Sequence, residues 1–301
     1  MIKSQVTLKQ LEAFIFVLDT GTFRKAAAAL GTTQPNISAR IAALEKTLGV
    51  ELLRRDTGSV RLTEKGEQLA PAARQVLWST EQFLETAQRR DLIDQRLRLG
   101  VTELIACTWL HQFLRRFKAL YPAIIVELDV DISREIEKDL EAGHLDLALQ
   151  TGPFKIQSSG SLPLGRYRYV WVATPDIATQ LGPKPDMAAL FSHGVMTHAR
   201  HTIAAGELAT FVSANNLPRD RIVHSSSLAS CLPMAVDGMG VALLPRQLVR
   251  DALERGQLVQ VDAGWEPSPL DFHARYDARR APRFVVQAAE LAISIAQSDR
   301  Q

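Results

Sequence analysis

Three features of the sequence predict an α+β chain with an N-terminal winged helix-turn-helix, a long linker helix and a C-terminal two-lobed α/β domain. Apolar residues recur at helical spacing through residues 8–48 but are interrupted by Gly31 and Pro35. A turn-rich Asp56-Thr57-Gly58-Ser59 then separates two short apolar runs. From residue 96 onward, β-type runs alternate with helical stretches, the pattern of strands joined by helical crossovers.

The first helix is marked by Leu8, Leu11, Ile15 and Leu18 behind a Thr7-x-x-Gln10 capping box, and it stops near Thr20-Gly21. Thr22 caps a short second helix, Phe23 to Leu30, which Gly31 ends as a left-handed residue. Pro35 then opens the third helix instead of breaking it. Proline lacks the N–H that a first turn leaves unpaired anyway, and it turns the preceding Gln34 away from helical geometry. Ile37, Ile41, Leu44 and Leu48 form the inward stripe, and Gly49 closes the helix. The opposite face centres on Ala39, flanked by Asn36, Ser38, Ala42 and Ala43, with Arg40 nearer the core edge. These side chains are short where a solvated face carries long charged ones, so the backbone can approach another surface closely. That is helix-turn-helix geometry.

After it, "ELLRRDTGSVRLT" reads as a hairpin, or wing, carrying Arg54, Arg55 and Arg61. The charge agrees with a polyanionic partner. Residues 1–66 hold ten Lys/Arg against six Asp/Glu, whereas the whole chain carries only +2. The candidate DNA contacts are Arg24, Thr33, Gln34, Pro35, Asn36, Ser38, Ala39 and Arg40, with Arg55 and Arg61 of the wing on phosphates.

Residues 8–77 closely resemble the winged helix-turn-helix and linker helix of LysR-type transcriptional regulators. The segments "FRKAA", "QPNIS", "LEKTLGVELLRR" and "LTEKGE" stand in that family's order and spacing. The resemblance implies a sequence-specific regulator of transcription that binds double-stranded operator DNA. It also implies a homotetramer built as a dimer of dimers, RNA polymerase as a further candidate partner, and a C-terminal part like periplasmic solute-binding proteins. One departure is that Ala39 and Arg40 follow Ser38, where many members place a long polar residue.

Read from its own residues, the linker begins with Thr63 as a cap and runs to about Arg90, with Leu69, Val76, Leu77, Phe83, Leu84 and Ala87 apolar. Pro71 is expected to bend or restart it. An exposed helix this apolar needs a partner, and the resemblance favours self-association over packing on its own effector domain. The expected boundaries are 1–66 for the DNA-binding domain, 63–92 for the linker and 93–301 for the effector-binding domain. Its lobes are expected over about 96–165 plus 268–297, and over 166–267.

The C-terminal part reads as strand "RLRLGV", helix "CTWLHQFLRRFKALYP", strand "AIIVELDV", helix "SREIEKDLEAG" and strand "LDLALQ", with a second set beginning near "YRYVWVAT". This alternation implies parallel sheets, whose ligands bind beyond the carboxyl ends of the strands. The candidate effector residues therefore stand there: Thr102, Glu103, Ser133 as cap of the second helix, and Thr151 on one side, and Thr197, His198, Arg200, Ser225 and Ser226 on the other. Hydroxyls at helix N-termini with Arg200 favour an anionic oxygen ligand, although Glu103 is an awkward neighbour for a carboxylate and leaves a neutral or amino-bearing effector as the alternative.

Other classes are weakly supported. The sequence holds no GxSxG elbow, P-loop, HExxH or CxxC, so an enzyme is not expected. Cys107 and Cys231 stand far apart and read as reduced thiols. His193, His198 and His201 are close in sequence but have no acidic or thiol partner among them, so neither a metal nor a cofactor is expected. With 46 % hydrophobic residues but no run of eighteen apolar residues and no visible export signal, a cytoplasmic chain with no membrane partner is expected.

Overall fold

The computed structural model describes residues 6–56, 59–89, 92, 96–200, 202–279 and 281–299. The chain begins with three helices, α1 (Leu8–Thr20), α2 (Phe23–Ala29) and α3 (Gln34–Leu48), followed by the antiparallel pair β1 (Leu53–Asp56) and β2 (Ser59–Leu62). The caps stand where local chemistry demands them. Thr7 and Gln10 form the reciprocal capping box, Thr22 accepts from the N–H of Lys25, and Gly21, Gly31 and Gly49 have φ of +73°, +57° and +69°.

The inward faces differ in detail from the periodic reading. In α1 the buried residues are Ala13, Phe14, Ile15 and Val17, while Leu8 is exposed. In α3 Ile37, Ile41 and Leu44 are buried, but Leu48 is 40 % exposed, because the last turn projects past the small three-helix core. Together with Leu52 and Leu53, these side chains make the first core.

The linker helix α4 (Glu64–Thr86) passes through Pro71 unbroken and ends four residues short of Arg90. As the eighth residue of the helix, Pro71 leaves the Glu67 carbonyl without its helical N–H, a loss offset by the burial of the flanking Ala70 and Ala73 in the first core. The α4 start is locked to the wing. Thr63 Oγ1 donates to the Glu51 carbonyl at 2.6 Å and accepts from the Gly66 N–H at 2.9 Å. A Cβ on Gly66 would lie 2.2 Å from the Leu52 carbonyl oxygen, so only glycine lets helix and wing approach this closely.

Lobe I is a five-stranded sheet in the order β4 (Ile125–Val130), β3 (Arg96–Val101), β5 (Leu147–Thr151), β12 (Leu270–Tyr276) and β6 (Gly160–Tyr167). Lobe II has the order β11 (Val259–Val261), β7 (Tyr169–Ala173), β10 (Val241–Pro245), β8 (Val195–His198) and β9 (Ile222–Ser225). Both sheets are mixed, and not parallel throughout as the alternation implied. β12 runs antiparallel to β5 and β6, and β7 runs antiparallel to β10 and β11. Strands that return from the other lobe need no helical crossover, so they are free to pair in the opposite sense.

The helices that position the site are α5 (Glu103–Cys107), α6 (Leu110–Leu120) and α7 (Ser133–Glu141) in lobe I, and α10 (Ile203–Ala214) and α11 (Leu228–Val236) in lobe II. The single helix read over residues 107–122 is two elements, since α5 ends at Cys107 and α6 starts at Leu110. The long α13 (Arg283–Asp299) closes lobe I, burying Phe284, Val285 and Ile295. One buried apolar cluster runs from Leu99 and Phe113 in lobe I to Val172, Leu228 and Leu244 in lobe II, so the lobes share a hydrophobic seam.

Candidate DNA interface and effector cleft

On the helix-turn-helix, Arg24, Thr33, Gln34, Pro35, Asn36 and Ala39 are exposed, and Ser38 and Arg40 are half-buried. Gln34 is not turned out of the helix by Pro35 but is the first residue of α3, with Pro35 still in its first turn, so the helix opens one residue earlier than the proline implied. Asn36 Nδ2 donates to Thr32 Oγ1 at 3.1 Å, so its amide is already oriented within the protein. Arg40 lies beside Glu12 of α1. Burial pushes the Glu12 carboxyl up, and the nearby Arg40 and Lys9 charges pull the other way. Arg40 therefore spends part of its charge on the core edge.

In the wing, Arg54 and Arg61 are exposed and face each other across the hairpin. The backbone of Arg55 pairs with Val60, and its side chain lies outside the described residues. The wing is held to α3 through Glu45, whose Oε1 accepts from the N–H groups of Leu52 and Leu53 at 2.7 and 3.2 Å.

In the cleft, Thr102 stands at the carboxyl end of β3, 9 % exposed, with its Oγ1 buried and without a hydrogen-bond partner. Ser133 does not cap α7. Ile132 occupies the cap position and Ser133 is the first helical residue, and its Oγ accepts from the Thr151 N–H at 3.2 Å. That bond brings Ser133 and Thr151 together, while the Thr151 hydroxyl donates to the Asp271 carbonyl at 3.2 Å. Beneath them Gln150, fully buried and with its amide assigned from its neighbours, donates to the Ser133 carbonyl and accepts from Arg275.

Across the cleft, Thr197 is buried and Arg200 and Ser226 are exposed. The Ser225 hydroxyl donates to the Ser227 carbonyl at 2.8 Å. His198 Nε2 lies 3.7 Å from Glu103 Oε2, so these two candidates meet across the lobes. His201 lies outside the described residues, and no cluster of metal-ligating side chains occurs among those described.

Glu103 makes the decisive contacts. Its carboxylate accepts from the Leu228 N–H at 2.6 Å, from the Ala229 N–H at 3.1 Å and from the Ser227 hydroxyl at 2.8 Å. Burial works to raise its pKa, but these hydrogen bonds and the neighbouring His198 outweigh it and hold the carboxyl below its ordinary value. Sequence reasoning missed Ser227, although a serine directly before the apolar run "LASCL" is an N-cap signal, and its Oγ accepts from the Ser230 N–H.

Comparison with known proteins agrees with both halves of this architecture. A model described as bacterial regulatory helix-turn-helix protein, lysR family, matches residues 8–67, and one described as LysR substrate binding domain matches residues 90–291. The chain belongs to the LysR family of bacterial transcriptional regulators. As a LysR-type regulator it joins a DNA-binding helix-turn-helix to an effector-binding domain, and it is not an enzyme.

The chain is 30 % identical over 296 residues to a probable hydrogen peroxide-inducible genes activator of Streptomyces viridosporus, covering 96 % of this chain and 94 % of that protein. It is 28 % identical over 275 residues to the uncharacterized regulator YhjC of Escherichia coli K12, covering 90 % and 91 %. Among solved structures, full-length LysG of Corynebacterium glutamicum with bound effector Arg aligns with a TM-score of 0.58 at 19 % identity, covering 97 % and 98 % of the two chains. CbnR aligns with a TM-score of 0.52 at 19 % identity, covering 95 % and 99 %. At this identity the structures establish the shared fold. No helix among the described residues is long and apolar enough to cross a membrane.

Proposed function

We propose that this LysR-type regulator is a cytoplasmic protein that reads operator DNA with the start of α3, and that a small anionic metabolite in the cleft between the lobes modulates that binding. The observation that carries the reading is the exposed, short-side-chain start of α3, where Gln34, Pro35, Asn36 and Ala39 face solvent beside a basic wing. Gln34 is the best-placed base reader, since its amide is exposed and Asn36 is held by Thr32. Arg24, Thr33, Ser38 and Arg40 frame it, and Arg55 and Arg61 meet phosphates.

The linker supports assembly into dimers at least, and tetramers on DNA. Leu69, Leu77 and Leu84 are used within the chain, whereas Val76 and Phe83, seven residues apart along one side of α4, are 46 % and 71 % exposed. RNA polymerase is the natural downstream partner of such an assembly.

For the effector, Thr102, Ser133 and Thr151 from one lobe and Thr197, Arg200 and Ser226 from the other supply hydroxyls and one cation around strand ends. Peroxide sensing, suggested by the name of the Streptomyces relative, is the weaker reading. Partial desolvation and the Glu103 carboxylate push the Cys107 thiol up, and burial does the same to Cys231, whereas a peroxide-reactive cysteine needs a lowered pKa.

The test is to sequence genomic fragments retained by the purified protein and then to screen small carboxylates for altered operator affinity. Arg200→Ala is expected to abolish the response and Thr102→Val to weaken it, both with operator affinity intact. If both variants respond as the parent does, the effector site lies elsewhere.

A further inference from the structure

Glu103 belongs to lobe I, yet its carboxylate bonds to lobe II. The first amides of α11 are shared between two residues. Ser230 N–H goes to the helix's own cap, Ser227, and the N–H groups of Leu228 and Ala229 go to Glu103. A helix N-terminus of nine residues with two amides and a hydroxyl aimed at one point is where a carboxylate from solution would dock. Here that place is filled by a carboxylate from the other lobe. Immediately before it in the chain, at the same strand end, Thr102 Oγ1 is buried without a partner.

This contact differs in kind from the exposed ion pairs of the surface, such as Arg166 with Asp271, whose side chains are 66 % and 54 % exposed. Both Glu103 oxygens are charge-assisted acceptors from backbone donors that cannot swing away. A second tie also joins the lobes. Arg250 of α12 (Arg246–Glu254) donates to the backbone carbonyl of Asp299 at 2.7 Å and pairs with its carboxylate at 3.0 Å. Losing the Glu103 contact would therefore loosen the cleft while leaving the lobes joined.

We propose that Glu103 is an internal ligand. Its carboxylate occupies the α11 N-terminus and ties the lobes across the cleft, and a carboxylate-bearing effector acts by taking its place. The proposal rests on the reading of the cleft as the effector site and specifies the effector's chemistry there. A tethered carboxylate competes at high effective concentration, so a free one prevails only with further contacts, which the Thr102 hydroxyl and Arg200 can supply. The exchange also provides what any effector needs, a difference in interaction between two lobe arrangements, because the incoming carboxylate lacks the covalent link to lobe I.

The test uses hydrogen exchange on the full-length protein without operator or effector. In Glu103→Ala and Glu103→Gln, the amides of Leu228 and Ala229 are expected to exchange about tenfold faster or more, the equivalent of losing one charge-assisted hydrogen bond, while the strands of both sheets keep their protection. Sodium formate, whose carboxylate fits the vacated place, is expected to restore protection in Glu103→Ala where sodium chloride at equal ionic strength does not. Glu103→Gln preserves the side-chain volume, so its amides report even if the alanine variant folds poorly. Unchanged protection in both variants, or recovery no greater with formate than with chloride, overturns the proposal. Since no effector or operator enters this measurement, its failure is distinct from failure of the effector screen.

Discussion

The backbone N–H of Arg283 donates to Glu81 Oε2 at 3.0 Å, so a carboxylate of the linker helix caps the start of α13 in lobe I. Three residues earlier on α4, Trp78 Nε1 donates to the Ala281 carbonyl at 2.9 Å, and four before that, Arg74 holds Asp19 of α1 with one bond at 3.1 Å and a second, shorter one. Arg74, Trp78 and Glu81 stand at i, i+4 and i+7, on one face. That face joins the helix-turn-helix to the effector domain and leaves Val76 and Phe83 pointing away.

The first prediction concerns this joint. Glu81→Ala removes a charged acceptor from a helix N-terminus, so the Arg283 amide is expected to exchange about tenfold faster, with a smaller effect for Trp78→Phe. The response of operator binding to effector is expected to weaken while operator affinity stays constant. Unaltered exchange at Arg283 would show that Glu81 does not hold the joint.

On DNA, Gln34→Ala is expected to relax preference at one operator position, costing on the order of 1–3 kcal/mol if the contact is bidentate. Asn36→Ala is expected to cost less, because its amide is engaged by Thr32. Selection of binding sites with each variant distinguishes them. Equal preference in parent and Gln34→Ala would remove Gln34 from the base-reading set.

Neutralising Arg61 in the wing is expected to weaken binding to every sequence alike and to make the salt dependence shallower by about one unit of slope. Titrations across ionic strength read this directly. A loss confined to one sequence would place Arg61 in a groove.

Phe83→Asp and Val76→Asp are expected to shift the protein to monomer in sedimentation at micromolar concentration. Both side chains are exposed, so the monomer's melting temperature is expected to move little, about 0.5 kcal/mol in stability at most. A parent protein that sediments as monomer would refute assembly through α4.

Glu137 in α7 and Arg275 in β12 form a buried pair, 3.0 Å apart, and Glu137 also accepts from the N–H groups of Lys155 and Ile156. Removing one partner leaves a buried charge, so Glu137→Gln is expected to cost about 3–5 kcal/mol. Burial acts to raise the Glu137 pKa, but the Ile156 N–H, Arg275 and the Lys155 N–H outweigh it and hold it low. A lowered folded-state pKa contributes fully above the ordinary carboxylate value and is lost as pH falls below it. The difference in melting temperature between parent and Glu137→Gln is therefore expected to narrow in acid.

The sequence by itself determined the elements whose signals are local. Thr7 with Gln10, Thr22, Gly31 and Pro35 locate the ends of α1, α2 and α3 because caps are hydrogen bonds made within four residues. "RLRLGV" coincides with β3 because Arg96, Leu97, Arg98 and Leu99 alternate polar and apolar side chains with the period of a strand. The family was legible too, since its motifs lie in these same local segments.

Tertiary structure decided the rest. Nothing near Leu48 tells that the core ends before it, and nothing in residues 63–90 tells which apolar positions of α4 the other domains cover. The antiparallel entry of β12 beside β5 joins residues more than a hundred positions apart, and so do the bonds of Glu103 to Ser227, Leu228 and Ala229. Such pairings are chosen by how whole lobes pack, a free energy summed over many distant contacts, so no short window of sequence contains it. Glu103 reads in the sequence as an acid that disfavours an anionic ligand, whereas the fold makes it the occupant of an anion's place.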